Sequence, residues 1–117
     1  MRCVIVDDDA AFLEVAQTLL ERDGMTVPGV AHNSAEAVQR VAELKPDVVL
    51  IDIRLGRESG FDTARQLADN GHVAPLIMIS THAGEDYADL IAESPAAGFV
   101  PKAELSAAAI RRVLGAD

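Results

Sequence analysis

Five short apolar runs alternate along the chain with segments that carry apolar residues at helical spacing. The runs lie at residues 3–6, 25–31, 47–53, 74–80 and 96–100. The third run, "DVVLIDI", is continuously apolar up to Asp52, which is typical of a strand covered by helices on both faces. Such alternation of strands and helices indicates a parallel sheet. We therefore predict an α/β fold of the flavodoxin-like (βα)5 type, a five-stranded parallel sheet of order 2-1-3-4-5 with helices on both faces.

The helical segments carry recognisable starts and ends. Gly24 closes the first helix, and Asn33 with Glu36 resembles a capping box at the start of the second. The third helix begins at Gly60, and Ser106 can cap the last. The residues predicted to face inward on the first three helices are Phe12, Leu13, Ala16, Leu19, Leu20, Ala37, Val38, Val41, Leu44, Phe61, Ala64, Leu67 and Ala68.

Three further local patterns carry predictions. Pro28 lies in the second run and cannot donate a ladder hydrogen bond, which favours an edge strand or a bulge. A short acidic helix is expected over residues 85–93, with Leu90 and Ile91 facing inward. Asp9 is expected to cap the first helix.

Composition limits the class of protein. The chain has 117 residues, and we expect one domain over 1–117. Its net charge of −9 argues against direct binding to nucleic acid or to an acidic membrane. The single cysteine, Cys3, is expected in the core and suits the reducing cytoplasm. No signal peptide and no apolar run of the roughly 20 residues needed to span a membrane is visible, so a cytoplasmic location is expected.

Polar side chains follow four of the five predicted strands. Asp7 and Asp8 follow the first strand, Asp52 ends the third, Ser80 and Thr81 end the fourth, and Lys102 follows the fifth. Ligands of open parallel sheets bind at the carboxyl ends of the strands, beside the point where the strand order reverses. We therefore expect these groups to converge on one pocket.

Three neighbouring carboxylates raise one another's pKa unless a cation compensates their charge. Mg²⁺ is such a cation, because it is held by one or two carboxylates together with water and phosphate oxygens. Asp52 then has nucleophilic potential, since a carboxylate can attack phosphorus and form an acyl phosphate. The ammonium of Lys102 and the hydroxyl of Ser80 are placed to stabilise the transferring phosphoryl group.

At the level of motifs, the chain resembles the receiver domain of two-component response regulators, including chemotaxis regulators. The matching motifs are "VDDDA", "VVLIDIRLGRESGFD", "IMIST" and "GFVPK", in this order along essentially the whole chain. The resemblance implies a domain that accepts a phosphoryl group in a Mg²⁺-dependent reaction. The donor in that family is a sensor histidine kinase.

The resemblance also implies roles for single residues. Asp52 matches the phosphoacceptor, and Asp7 and Asp8 match the acidic pair that holds Mg²⁺. Ser80 matches the hydroxyl residue of the switch, and Lys102 matches the lysine of the family.

Five further positions take their expected roles from the same resemblance. Arg54 would offer its backbone carbonyl to the metal, and Phe99 stands at the aromatic switch position. Arg54, Thr81 and His82 lie at rim positions that tune the lifetime of the phosphoryl group, and Gly60 matches the glycine that opens helix 3. Plainer interpretations stay open: Phe99 as simple packing and His82 as an exposed loop residue. His32 and His72 have no partner in the sequence and receive no role.

The chain departs from the common family pattern in two places that matter here. Ala103 follows the lysine where many receivers have proline, and this "PKAEL" form resembles receivers of helix-turn-helix regulators and stand-alone actinobacterial receivers. Gly56 replaces the usual proline in the loop after the third strand, and we expect a looser loop.

Other classes of function are weighed against this interpretation. Asp7-x-Asp9 resembles the start of a haloacid-dehalogenase-type phosphatase, an enzyme, but that reading leaves Asp52 and Lys102 without a role. A pseudo-receiver that only binds partners is disfavoured because the acidic pair, the acceptor and the lysine are all present. We predict a signalling domain and not an enzyme beyond its own phosphotransfer and dephosphorylation.

The expected output is a change of the face formed by helix 4, strand 5 and helix 5, read by a downstream effector protein or by an output domain outside this sequence. A dimer that depends on phosphorylation is a further expectation. The Met1 start and the Gly115-Ala116-Asp117 ending favour a stand-alone receiver over the receiver part of a DNA-binding transcriptional regulator.

Overall fold

The computed structural model describes residues 1–71, 74–82 and 84–115. Five parallel strands form the main sheet, and we number them β1 to β5 in chain order. They are β1 Arg2–Val6, β2 Thr26–Ala31, β3 Val48–Asp52, β4 Leu76–Ser80 and β5 Gly98–Pro101. Their order is β2-β1-β3-β4-β5, so the predicted topology is confirmed. His72, Ala116 and Asp117, on which sequence predictions fall, lie outside the described residues.

Within the described ranges, five α-helices accompany these strands. They are α1 Ala10–Arg22, α2 Ser34–Leu44, α3 Gly60–Asp69, α4 Ala88–Glu93 and α5 Ala107–Leu114. A 3-10 turn, Gly84–Tyr87, takes up part of the span predicted for the acidic helix, and a second 3-10 turn covers Lys102–Glu104. No helix in the described part of the chain is long and apolar enough to cross a membrane.

Side-chain caps begin the first, second and last helices as predicted. The carboxylate of Asp9 accepts hydrogen bonds from the N–H groups of Ala11 and Phe12, and the hydroxyl of Ser106 accepts from Ala109. Oδ1 of Asn33 accepts from the N–H of Glu36. The Glu36 carboxylate accepts in return from the backbone N–H of His32 and, at 3.5 Å, from the side-chain amide of Asn33, whereas a capping box would use the backbone N–H of Asn33. The carboxylate of Glu36 also lies 2.9 Å from Nδ1 of His32, a partner that the sequence did not reveal.

The sheet is buried on both faces because its strands alternate side chains between two apolar clusters. On β1, Cys3 and Ile5 join the cluster under α1 and α5, while Val4 and Val6 join the cluster under α2 and α3. Burial raises the pKa of the Cys3 thiol to about 12, so this residue is unreactive core.

Three residues predicted to face inward do not. Leu19 is 37% exposed and Leu90 is 51% exposed, and Ala68 is also exposed. Leu19 lies beside the buried stripe of α1, which contains Leu13, Ala16 and Leu20. Because α4 is only six residues long, it buries no residue fully, and Ile91 alone of its predicted pair packs against the core.

Pro28 lies where a missing N–H is tolerated. Strand β2 is at the edge of the sheet, and its register with β1 shifts between the pairs Arg2–Thr26 and Val4–Gly29. The prediction of an edge strand or a bulge is confirmed, since both features are present.

The loop after β3 forms a short antiparallel hairpin, and the expectation of a loose loop is wrong. Arg54 pairs with Ser59 and Leu55 pairs with Glu58. Gly56 begins the two-residue turn with a φ of +62°, a conformation that proline cannot adopt because its ring fixes φ near −65°. Glycine in place of proline therefore permits an ordered turn.

Candidate functional site

Three carboxylates meet where the strand order reverses. Asp7 and Asp8 follow β1, and Asp52 is the last residue of its neighbour β3. One carboxylate oxygen from each of these residues lies within 4.8 Å of the other two. The convergence predicted from the positions of these residues at strand ends is thus present.

Asp7 is fully buried and held in one orientation. Its Oδ1 accepts a hydrogen bond of 2.9 Å from the N–H of Asp9. Its Oδ2 lies 2.7 Å from Nζ of Lys102 and forms an ion pair with that ammonium. Because a carboxylate oxygen has more than one lone pair, this buried oxygen can also coordinate a cation.

Lys102 connects the two buried aspartates and also rests on an aromatic ring. Its Nζ donates to Oδ2 of Asp52 at 3.4 Å and lies 4.3 Å from the centre of the Phe12 ring, a cation–π distance. Burial alone would lower the pKa of Lys102, but the carboxylates of Asp7 and Asp52 raise it above its usual range. The ammonium stays charged at neutral pH.

Asp52 is 8% exposed and has an unusual pKa. Burial, and then the charge of Asp7, raise its pKa to about 6, although Lys102 and the N–H of Arg54 act in the opposite direction. A carboxylate with a raised pKa is more basic and interacts strongly with any cation that enters.

We expect Asp52→Asn to stabilise the metal-free protein in a pH-dependent way. The pKa of Asp52 is higher in the folded chain than its ordinary value of 3.8, so ionised Asp52 costs stability above pH 6. This cost disappears as the pH falls from about 6 to about 4. Asp52→Asn should therefore raise the free energy of unfolding by about 2 kcal/mol at pH 7.5 in EDTA, and far less at pH 4.

Urea denaturation followed by circular dichroism at both pH values measures this difference. The control is Asp86→Asn, which removes the charge of an exposed aspartate. An equal gain at both pH values, or a loss at pH 7.5, contradicts the proposed electrostatics.

The fourth strand brings the predicted hydroxyl to the same edge. Ser80 is buried and directly follows Ile79, which lies in register with Asp52. Its Oγ accepts a hydrogen bond from the N–H of His82, so its own proton remains free to be donated. Thr81 and His82 are exposed beside it.

Phe99 on β5 is half-buried and packs against the cluster under α2 and α3. Tyr87, which the sequence pattern gave no role, is also half-buried and packs against the same cluster. The ring of His82 meets Tyr87 edge-on at 6.3 Å between centroids, and Phe61 lies 6.5 Å from Tyr87. The rim of the site near α4 is therefore aromatic.

Phe12 was predicted only as a core residue, but it also supports the lysine of the site. It lies in the first turn of α1, four residues after Asp8. This short separation from the acidic pair is the one feature of the sequence that indicates a place near the site. Its contact with Lys102 joins residues ninety positions apart, and no local pattern could predict it.

Gly60 permits close contact between α3 and the end of β3. Its N–H donates to the carbonyl of Ile53 at 2.7 Å, and a Cβ at this position would lie 2.0 Å from the backbone oxygen of Asp52. Only glycine fits against the backbone of the predicted acceptor.

Comparison with known proteins agrees with this site. The family model of the response regulator receiver domain matches residues 3–114. The chain belongs to this family and is a receiver domain of two-component signalling. Receiver domains bind Mg²⁺ in an acidic pocket, and Asp7, Asp8 and Asp52 form such a cluster here.

Curated relatives are longer than this chain. It is 32% identical over 103 residues to the uncharacterised transcriptional regulatory protein YvfU of Bacillus subtilis, and the aligned part covers 87% of this chain and 52% of the relative. It is 36% identical over 86 residues to a protein-glutamate methylesterase/protein-glutamine glutaminase of Symbiobacterium thermophilum, and the aligned part covers 73% of this chain and 24% of the relative. The chain thus spans only the receiver part of these relatives.

Solved structures share the fold over nearly the whole chain. The signal receiver domain of NarL from Mycobacterium tuberculosis superposes with a TM-score of 0.83 at 27% identity, covering 97% of this chain and 96% of that one. A LuxR-family two-component response regulator from Aurantimonas superposes with a TM-score of 0.85 at 28% identity, covering 97% and 85%.

Proposed function

We propose that this receiver domain accepts a phosphoryl group on Asp52 from the phosphohistidine of a sensor histidine kinase, with Mg²⁺ as cofactor. The observation that carries the proposal is the buried carboxylate of Asp52, grouped with two further aspartates and in contact with Lys102. This grouping supports the proposal because it combines a buried carboxylate, a cluster of oxygens suited to a cation and a positive charge in one pocket.

Phosphoryl transfer uses Asp52 as the nucleophile. A carboxylate oxygen of Asp52 attacks phosphorus and forms a P–O bond, while the P–N bond to the donor imidazole breaks. The imidazole nitrogen leaves with the electron pair, and Asp52 becomes an acyl phosphate. Hydrolysis of that acyl phosphate returns the carboxylate and releases inorganic phosphate.

The residues present fit Mg²⁺. The proposed ligands are all oxygens: the carboxylates of Asp7, Asp8 and Asp52 and the backbone carbonyl of Arg54. The close grouping of the three carboxylates, of which Asp7 and Asp52 are buried, supports this assignment. When bound, Mg²⁺ offsets the negative charge that gathers on the phosphoryl oxygens.

Lys102 and Ser80 act on the phosphoryl group from the chain itself. The ammonium of Lys102, already in contact with Asp52, forms an ion pair with a phosphoryl oxygen. The free hydroxyl proton of Ser80 is donated to another. Arg54, Thr81 and His82 stand at the rim, where their side chains control the approach of water and so the lifetime of the acyl phosphate.

The new charge is converted into a change of surface. As Ser80 moves toward the phosphoryl group, Phe99 fills the space beside it, and the face of α4, β5 and α5 shifts between two populations. An effector protein, or an output domain of a longer polypeptide, reads this face, and a dimer formed on phosphorylation is one such readout. We propose that the domain acts in the cytoplasm and does not itself bind nucleic acid.

The phosphatase alternative is not favoured by the geometry of Asp9. Its carboxylate is engaged by the first N–H groups of α1, so it is not free to act as a general acid. Turnover of p-nitrophenyl phosphate that is lost in Asp7→Asn but kept in Asp52→Asn would support the alternative.

Labelling with a small phosphodonor tests the proposal. Wild-type protein with phosphoramidate and Mg²⁺ is expected to gain one phosphoryl group, seen by intact-mass spectrometry, and EDTA is expected to prevent the gain. Asp52→Ala should not be labelled, whereas Asp86→Ala, which removes an exposed aspartate, should be labelled as wild type is. Wild type that is never labelled refutes the proposal.

A further inference from the structure

The hairpin that follows the acceptor is tied to a distant helix by one carboxylate. Oε1 of Glu58 accepts a hydrogen bond of 3.0 Å from the N–H of Ser34, the first residue of α2. This N–H has no partner within its own helix, and a carboxylate at a helix N-terminus is favoured by the helix dipole. Glu58 therefore anchors one strand of the hairpin, while the buried Leu55 anchors the facing strand in the core.

A second polar link runs beside the first. Oγ of Ser34 lies 2.5 Å from Oγ1 of Thr63, and both side chains are buried. Thr63 in turn donates to the backbone carbonyl of Ser59, the last residue of the hairpin. The start of α2 thus holds the second strand of the hairpin at two successive residues, Glu58 and Ser59.

The hairpin carries the backbone group proposed as a metal ligand. The N–H of Gly60 donates to the carbonyl of Ile53, so these two residues form a hydrogen-bonded pair. Such pairs alternate along an antiparallel ladder with pairs that are not hydrogen-bonded to each other. The next pair, Arg54 and Ser59, is of the second kind, and its backbone N–H and C=O groups point away from the partner strand. The N–H of Arg54 meets Oδ1 of Asp52 at 3.4 Å, which shows that this outward side faces the acceptor. The carbonyl of Arg54 lies on the same side, because both groups of a residue in such a pair point away from the partner strand.

The tip of the hairpin also reaches the acidic pair. A Cβ built on Gly56 would lie 3.5 Å from Oδ2 of Asp8. A displacement of the hairpin would therefore move both the carbonyl of Arg54 and Gly56, which lies beside the carboxylate of Asp8.

We infer that Glu58 is a positioning residue for Mg²⁺: by tying the hairpin to α2, it fixes the backbone carbonyl of Arg54 beside the three aspartates and so raises the affinity for the metal. This inference rests on the proposed function, since it concerns the same cation site. Glu58 acts through the hairpin and does not touch the metal.

Mg²⁺ titration of the unphosphorylated protein, followed by the amide NMR signals of the site, measures the effect. Glu58→Ala is expected to weaken Mg²⁺ binding about fivefold, which is about 1 kcal/mol and typical for the loss of a side-chain hydrogen-bond acceptor at a helix N-terminus. Glu58→Gln keeps an acceptor oxygen for the N–H of Ser34 and removes the charge, so it should bind Mg²⁺ within about twofold of wild type. Equal weakening in both variants would mean that Glu58 acts only by its charge, and would overturn the inference.

Variants of Ser34 test the same hydrogen bond from its donor. Ser34→Pro removes the N–H at the first helical position, where proline is well tolerated, and the preceding Asn33 already has the extended backbone that proline requires. Ser34→Ala removes only the hydroxyl and is the matched control. Ser34→Pro should weaken Mg²⁺ binding more than Ser34→Ala does, and adding Glu58→Ala to Ser34→Pro should weaken it no further.

The outcomes separate the inference from the function on which it rests. Wild type without saturable Mg²⁺ binding contradicts the proposed function. Wild type that binds, with Glu58→Ala and the exposed control Glu21→Ala binding equally well, contradicts only the role of Glu58. Thermal unfolding in EDTA shows whether each variant is folded.

Discussion

Gly60→Ala is expected to lower the free energy of unfolding by about 3 kcal/mol. The added methyl group would lie 2.0 Å from the backbone oxygen of Asp52 and 2.8 Å from its carbonyl carbon. These are backbone atoms at the end of a buried strand, so relief requires that α3 or the acceptor itself shift. The loss outweighs the gain of about 0.4–1 kcal/mol that alanine brings by restricting the unfolded chain. Urea denaturation followed by circular dichroism measures it.

Gly29→Ala is the matched control. Its Cβ would also be too close to a neighbour, at 2.7 Å, but that neighbour is the terminal Cδ1 of Leu44. A terminal methyl can move by rotation, so Gly29→Ala should cost less than about 1 kcal/mol. Equal losses in the two variants, or a Gly60→Ala protein as stable as wild type, would contradict the close packing described at the acceptor.

Lys102→Met is expected to have the second large effect. It keeps the aliphatic stem of the side chain and removes the ammonium that pairs with the buried Asp7 and Asp52. Removing one partner from a buried ion pair typically costs 3–5 kcal/mol. Because the pocket admits some solvent, we expect a loss of about 2–3 kcal/mol at pH 7.5 in EDTA. The pKa of Asp52 should also rise further, since Lys102 now lowers it.

The same variant should accept phosphoryl groups at least about 100-fold more slowly, because a fixed positive charge at the reacting group is lost. The control is Lys45→Met, which removes an exposed lysine outside the site. Rapid-quench labelling gives the rate, and denaturation at pH 7.5 gives the stability. A Lys102→Met protein that matches Lys45→Met in both measurements would remove Lys102 from the mechanism.

Much of the fold could be predicted because its signals are local. Continuous apolar runs such as 47–53 require burial on both faces, and the caps Asp9 and Asn33 lie next to the helices that they begin. The convergence of Asp7, Asp8 and Asp52 followed from strand order alone, since parallel strands end at one edge of the sheet.

The features that were missed depend on contacts between distant segments. The two-residue strands of the hairpin are too short to show a periodicity, and Gly56 was interpreted by the residue that it replaces instead of by its positive φ. The links from Glu58 to Ser34 and from Phe12 to Lys102 exist only after folding. Leu19 and Leu90 are apolar at the border of a helical stripe, where spacing alone does not decide burial.

The central claim is that Asp52 is the residue that becomes phosphorylated, and peptide mapping of the labelled wild-type protein tests it most directly. Borohydride reduces an aspartyl phosphate to homoserine, which marks the modified position for tandem mass spectrometry. The mark is predicted at Asp52 and at no other aspartate, and it should be absent when Mg²⁺ is removed with EDTA. A mark at Asp7, Asp8 or Asp9 with Asp52 unmodified would contradict the account.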